Sequence, residues 1–395
     1  MPSSPTPPQP GPPQPGGARP GPPRAGSPNS GLRRLDGLLF FPVTAFGPDG
    51  GFNPGAYHDH IQARLADGPG AVFAACGTGE FPALDPDEAR QVIAAAVAAV
   101  ESQRVLVQTA ADLTEAAASA AGPGGPGGPG GKTDPGGKTD PGGPAAAPAP
   151  GTPAAPAGPG VPPAGRIPVI GGCGYGTALA TWYARAAEQA GADGLLVLPP
   201  TGVDGSQQGL LRHYTALAES TDLDLILYQR DTTVFAPETV VQLAEVPNII
   251  GFKDGRGDLD LMLRIVSAVR ASGQRDFQYF NGMPTAEATQ QAYRAIGVPL
   301  YSSAVFCFAP DIALSFYRAL AAEDRKTVDT LVDVFFRPYV ELRRVRPGYA
   351  VSLVKAATRA VGHPVGQVRA PLDEPATEHV AELLALVDRA REALA

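Results

Sequence analysis

Only three cysteines occur in the 395 residues, Cys76, Cys173 and Cys307, an odd number set far apart. Such usage excludes a disulfide framework, offers no paired zinc-ligand spacing, and fits a reducing cytoplasm. Positive charge is also short, with 31 Lys and Arg against 39 Asp and Glu for a formal net charge of −8. No basic stripe is present to compete for a phosphate backbone, so nucleic acid is not an expected partner. No uninterrupted apolar run reaches the ~18 residues of a membrane span. The opening MPSSPTPPQP lacks the apolar segment of a secretory signal. These absences predict a cytoplasmic protein that does not span a membrane.

Glycine and proline, by contrast, are plentiful and unevenly placed. Residues 1–31 hold 12 prolines, and residues 122–165 hold 15 glycines and 13 prolines. Neither stretch can bury enough apolar surface to offset the entropy of ordering its backbone. Roughly 320 residues remain, enough for one large α/β barrel or two medium domains.

Between Leu38 and Val305 short apolar runs alternate with helical patterns. The runs are LLFFPV (38–43), AVFAAC (71–76), RIPVIGG (166–172), GLLVLPP (194–200), DLILYQR (224–230), NIIGFKD (248–254), FQYFNG (277–282) and VPLYSSAV (298–305). They are continuous rather than alternating, as strands buried on both faces should be. The segments between them, such as TALATWYARAAEQAGA (177–192), carry apolar residues at three- and four-residue spacing. Strand and helix repeated in this way predict parallel pairing with right-handed crossovers. Eight units predict a closed (β/α)8 barrel over residues 32–309. After Ala309 the pattern turns purely helical, so residues 310–395 are expected to form the last barrel helix and a helical extension.

RVLVQTAADLTEAA (104–117) also has the look of a strand and a helix start, and competes with RIPVIGG for the third strand. RIPVIGG is preferred because it runs into a complete helical segment. That choice makes residues 102–165 a largely low-complexity insertion on the helix-to-strand side of the barrel, away from the catalytic loops. The GKT in GGKTDPGGKTDP is not a phosphate loop. The required earlier glycine is Pro126 in one copy and Lys132 in the other.

The chain has only five lysines, and Lys253 alone ends an apolar strand run. A strand ending there places an amine in the barrel mouth among hydrocarbon. Desolvation then disfavours the ammonium and prepares a Schiff-base nucleophile. The competing reading is a rim lysine paired with Asp254 or Asp258. Tyr228 ends the preceding strand, where its phenol can shuttle protons beside the amine or simply pack its ring. Gly77, Thr78 and Gly79 follow the second strand, and their amides and hydroxyl suit an anion. Ser303, in the Ser302-Ser303 pair closing the eighth run, is a further candidate donor to substrate. His58 and His60 stand two apart on a helix and face different ways, so no metal site is expected. GGCGYG (171–176) lacks the third glycine and the acidic partner of a dinucleotide fingerprint.

Taken jointly, FPVTAF (41–46), GTGE (77–80), GYGTALA (174–180), GADGLLVLPP (191–200), YQRD (228–231), GFKDGRGD (251–258), YSSAVFCFAP (301–310) and GYAVSLVKAATRAVG (348–362) resemble the dihydrodipicolinate synthase / N-acetylneuraminate lyase superfamily. The resemblance is strongest to the branch that dehydrates 5-dehydro-4-deoxyglucarate. It covers roughly residues 35–375. The resemblance implies a homo-oligomer, a tetramer or dimer, acting on a small keto diacid through a lysine imine, with no metal or organic cofactor. It places the imine lysine at Lys253 and its tyrosine at Tyr228, and it gives Gly77, Thr78, Gly79 and Ser303 to the substrate. The synthase branch has two threonines before Gly-Glu and a tyrosine after the fourth strand. Here Gly77 replaces the first threonine and Leu198-Pro199-Pro200-Thr201 follows the strand, so that branch's hydroxyl relay is missing. Gln229 and Cys307 stand where asparagine is more usual.

The implied reaction releases water and CO2 from the six-carbon substrate to leave 2,5-dioxopentanoate. Arg230 and Arg256 are possible further contacts to its carboxylates. Two alternatives share these residues: a 2-keto-3-deoxy sugar acid aldolase on the same imine, and a non-catalytic scaffold using the polyproline surface of PPQPGPPQPG.

Overall fold

The computed structural model describes residues 32, 34–120, 166–203 and 205–395. The Pro-rich tail and most of the expected insertion lie outside them. Eight parallel strands close into a barrel in chain order: β1 (Leu39–Phe40), β2 (Ala71–Ala74), β3 (Val169–Cys173), β4 (Gly194–Val197), β5 (Asp224–Gln229), β6 (Ile249–Asp254), β7 (Gln278–Asn281) and β8 (Leu300–Ser303). Each falls within one of the eight apolar runs except that β3 extends one residue further, to Cys173, and β8 pairs with β1 to complete the ring. Ile250 and Ser302 apart, every strand residue is buried, the condition that makes such runs continuous.

The helices follow from their patterns and caps. In α6 (Leu259–Ala271) the residues Leu261, Met262, Ile265, Val266 and Val269 form one buried stripe, and Asp258 caps its start by accepting from the Leu261 amide at 3.0 Å. Phe252, on the outward face of β6, meets Phe235 edge-on at 5.4 Å between barrel and helix layer. Truncating such a fully buried ring costs about 3–5 kcal/mol. α1 (Pro54–Leu65), α3 (Thr177–Gln189), α4 (Gln207–Ala218), α5 (Pro237–Ala244), α7 (Gln290–Ala295) and α8 (Pro310–Ala321) complete the outer ring together with α2.

α2 differs from expectation. It runs as one helix from Pro86 to Ala120, so RVLVQTAADLTEAA is its continuation and neither a strand nor an irregular insertion. Val169–Cys173 is the third strand, as preferred. The first part of α2 buries Ala89, Val92, Ile93, Ala96, Ala99 and Val100 against α1, α3 and β3, whereas Val105, Leu106 and Val107 stand exposed. Its stretch Pro86–Thr109 is long and apolar enough to cross a membrane by length and composition. Charged residues such as Asp87, Glu88, Arg90 and Glu101 interrupt it, and 28% of its most apolar window is buried as packing surface of the barrel.

Beyond α8 come α9 (Arg325–Leu331), a π turn at Val332–Phe336, α10 (Arg337–Arg344), α11 (Tyr349–Ala360) and α12 (Thr377–Leu394). This extension is not purely helical. Residues 361–376 form an irregular connection that returns to the barrel mouth, where Val365 accepts from the Phe46 amide at 3.0 Å.

Candidate active site

Along a strand successive side chains face opposite sides, so each barrel strand sends alternate residues to the mouth and to the helix layer. In β6, Phe252 and Asp254 face outward and Lys253 faces inward. In β5, Gln229 faces outward and Tyr228 inward. Tyr228 and Lys253 are direct partners across the pair. The Lys253 ammonium is enclosed by the Phe41 ring at 4.1 Å and the Tyr228 ring at 4.9 Å from their centroids. Its hydrogen bond goes to the Ser302 hydroxyl at 3.2 Å.

Lys253 is only 4% exposed. Burial lowers its pKa to about 7, and the Arg230 guanidinium adds to that effect while Cys76 opposes it. The rim-lysine alternative is excluded by where the carboxylates go. Asp254 accepts from Gln229 Nε2 at 3.0 Å, from the Arg256 and Gly257 amides, and from the Tyr293 hydroxyl. Asp258 is occupied as the cap of α6. An amine held among rings, without a carboxylate partner among the described residues and half neutral near pH 7, has the chemistry required of a nucleophile toward ketones.

Tyr228 is held protonated, its pKa raised to about 12 mainly by burial, and its hydroxyl donates to the Gly282 carbonyl at 2.8 Å. Gly282, just past β7, is necessary to this arrangement. A Cβ there would stand 2.7 Å from Lys253 Cε and 2.7 Å from Tyr228 Cε2. No sequence pattern distinguishes this glycine, because the constraint comes from two side chains on other strands.

The turn after β2 is pinned at both ends. The Phe81 amide donates to the Cys76 carbonyl at 3.1 Å and the Glu80 amide to the Gly77 carbonyl at 3.2 Å. Thr44, from the loop after β1, donates its hydroxyl to the Gly79 carbonyl at 2.6 Å. Among the described residues, neither the amide nor the hydroxyl of Thr78 has an internal partner. Gly77 faces Arg230, whose Nη1 is the only atom a Cβ at Gly77 would approach within 4 Å, at 3.8 Å. Arg230 leans on the Asp231 carboxylate at 3.3 Å, and Arg256 donates to the Asp231 carbonyl. Of the six non-glycine residues with positive φ among the described residues, five stand in these strand-to-helix loops: Ala75, Glu80, Tyr175, Asp231 and Thr285. Backbone strain of this kind concentrates at functional mouths.

The structure thus brings Lys253 and Tyr228 together and sets Gly77 facing Arg230. It does not bring Ser303 to them. That side chain is fully buried on the outward side of β8, where its hydroxyl accepts from the Phe306 amide at 3.3 Å and neighbours Glu287. Ser302 takes the inward position. The two serines are adjacent, so a one-residue error in parity exchanges them. Gln229 and Cys307 also face away from the mouth: Gln229 binds Asp254 and the Phe235 amide, and the Cys307 thiol meets the Phe41 carbonyl at 3.3 Å. His58 stands beside Asp59, while His60 is buried against Phe40 and His363, and no metal-holding cluster forms among the described residues.

Comparison with known proteins places this geometry in context. The model of the dihydrodipicolinate synthetase family matches residues 34–124 and 163–390. A Streptomyces griseus protein named probable 5-dehydro-4-deoxyglucarate dehydratase is 50% identical over 92% of this chain and 94% of its own length. A Streptomyces coelicolor protein of the same name is 49% identical over 89% and 92%. Among solved structures, dihydrodipicolinate synthase from Bacillus clausii superposes with a TM-score of 0.68 at 20% identity, covering 90% of this chain and 97% of that one.

Proposed function

The chain belongs to the dihydrodipicolinate synthetase family, and from that premise we propose that it converts 5-dehydro-4-deoxy-D-glucarate to 2,5-dioxopentanoate, CO2 and water through an imine on Lys253. It is a carbon–oxygen lyase, working within sugar-diacid catabolism. The observation that carries the imine is the buried amine of Lys253, lowered to about 7 and, among the described residues, hydrogen-bonded to Ser302 and not paired with a carboxylate. The substrate is that named for relatives at about half identity over nearly the whole chain.

Neutral Lys253 attacks the ketone beside the carboxylate, and Tyr228 relays the protons that turn the carbinolamine into an iminium and water. The iminium acidifies the neighbouring CH2. Loss of that proton gives an enamine, which expels the β-hydroxyl as a second water. The conjugated iminium then accepts the electron pair of the bond to the far carboxylate, releasing CO2, and the dienamine left behind takes up one proton to return to an iminium. Hydrolysis consumes one water, so the net release is one water and one CO2. The Gly77 and Gly79 amides and Thr78 receive the carboxylate beside the ketone, while Ser302 orients the amine, a role assigned to it in place of Ser303. Arg230 supplies positive potential toward a dianion in a protein of net charge −8. A cytoplasmic homotetramer, or a dimer, is part of the same proposal.

The test is intact-mass analysis after borohydride reduction with 5-dehydro-4-deoxyglucarate, with Lys253→Ala as control and CO2 followed on unreduced enzyme. An adduct mapped to Lys253, absent from the variant, together with evolved CO2 is the expected result. Pyruvate in place of CO2 moves the chain to the aldolase reading. Absence of an adduct with any keto acid removes the imine mechanism.

A further inference from the structure

The carboxylate-receiving turn ends in a residue the mechanism leaves unused. Glu80 has a left-handed backbone, φ 58°, and its side chain is buried. Its Oε1 accepts from Lys355 Nζ at 2.7 Å, with both side chains sealed from solvent. Its Oε2 accepts from the Arg369 amide at 2.9 Å. The Lys355 ammonium also lies 3.9 Å over the Phe46 ring, and the Arg369 guanidinium lies 4.0 Å from the same ring. Arg369 reaches on to the Ala83 carbonyl, the Gly50 carbonyl and the Glu88 carboxylate. Gly366 presses so close that a Cβ there would sit 2.0 Å from the Phe46 carbonyl oxygen. Thus α11 and the connection after it grip the turn from behind, while Thr44 holds Gly79 from the front.

A buried carboxylate is tolerated when its charge is paired and its oxygens are hydrogen-bonded, and both conditions are met here. The pair fixes the Glu80 side chain, and through it the left-handed backbone that aims the preceding peptides. Rotating the Gly79–Glu80 peptide means breaking a sealed ion pair. We propose that Lys355 is a positioning residue, whose pair with Glu80 orients the Gly77–Gly79 amides toward the carboxylate of a bound keto acid. The inference rests on the reading of this mouth as a keto-acid site.

Lys355→Met alone leaves Glu80 buried and unpaired and can unfold the chain, so the informative variant is Lys355→Met/Glu80→Gln. It keeps an acceptor for the Arg369 amide and removes both charges. Pyruvate serves as probe in two measurements: the concentration giving half-maximal borohydride trapping at Lys253, and the calorimetric Kd without reductant. The double variant is expected to regain the thermal stability that Lys355→Met loses. Its half-saturation and Kd should rise roughly 10- to 100-fold, a cost typical of misplaced substrate contacts, with the maximal adduct undiminished. A folded double variant with wild-type half-saturation and Kd overturns the positioning role and leaves the imine intact. Weakened calorimetric binding in the double variant, with no adduct in the wild type, sustains the positioning role and sinks the imine instead.

Discussion

Two lysines are sealed inside this molecule, and their surroundings give them opposite uses. Lys253 stands one residue before the end of β6 between two aromatic rings, and its polar neighbour is a serine hydroxyl. Lys355 sits in the middle of α11 with a carboxylate 2.7 Å away. Burial lowers both, Lys253 to about 7 and Lys355 to about 8, but the second shift is opposed by Glu80 while the first is extended by Arg230. Desolvation therefore prepares an amine in either place. The partner decides whether the amine is left available for chemistry or ties two parts of the fold together.

The sharpest way to break this contrast is to crowd one lysine and leave the other alone. Gly282→Ala puts a methyl 2.7 Å from Lys253 Cε without demanding an unusual backbone. The flexible amine yields before the strand does. Borohydride trapping at Lys253 is expected to fall by about 10²-fold or more, with unfolding changed by about 1–3 kcal/mol. Trapping at the wild-type rate would show that Lys253 and Tyr228 do not need their close approach.

A second test sets the two lysines against each other in stability. Lys253→Met replaces an unpaired buried amine by a similar apolar chain and is expected to stabilise by about 1–2 kcal/mol while ending activity. Lys355→Met strands Glu80 and is expected to destabilise by about 3–5 kcal/mol. Denaturant melts of both variants at neutral pH read the signs directly. Shifts of the same sign would mean that the ion pair, not burial, has been misjudged.

The contrast also marks what the sequence could reveal. The eight strands and Lys253 were legible because continuous apolar runs are rare, and only one of five lysines closes such a run. Tyr228 followed from adjacency of parallel strands. Ser302 did not, because choosing between neighbouring serines needs the parity of a four-residue strand. RVLVQT, rich in strand-forming residues, is helical because it continues an amphipathic helix already packed on the barrel. The Glu80–Lys355 pair joins residues 275 apart, and no local pattern reports a contact of that range. The return of residues 361–376 to the mouth was invisible for the same reason, since only Phe46, Glu80 and Val365 together give it a destination.

The smallest expected effect concerns pH, and it separates the amine from its distant neighbours. Because Lys253 titrates near 7, its neutral fraction grows as pH rises through 7, and trapping with saturating pyruvate should climb along that limb. The same shift has a consequence for stability. Between about 7 and the ordinary lysine value of ~10.4 the unfolded chain binds a proton that the folded chain has lost, so this group makes unfolding harder as pH rises across that window. Lys355 adds a slope of the same sign over the narrower range above about 8. Lys253→Met should remove the part of the slope that begins near 7 and leave the part that begins near 8. Arg230→Gln takes away a cation that helps hold Lys253 down. The acid limb of trapping should therefore move upward, by about a few tenths of a pH unit for one half-exposed charge. A limb that does not move, measured from pH 5.5 to 9 by adduct mass, would assign the lowered pKa of Lys253 to burial alone and place Arg230 too far into solvent to touch the chemistry.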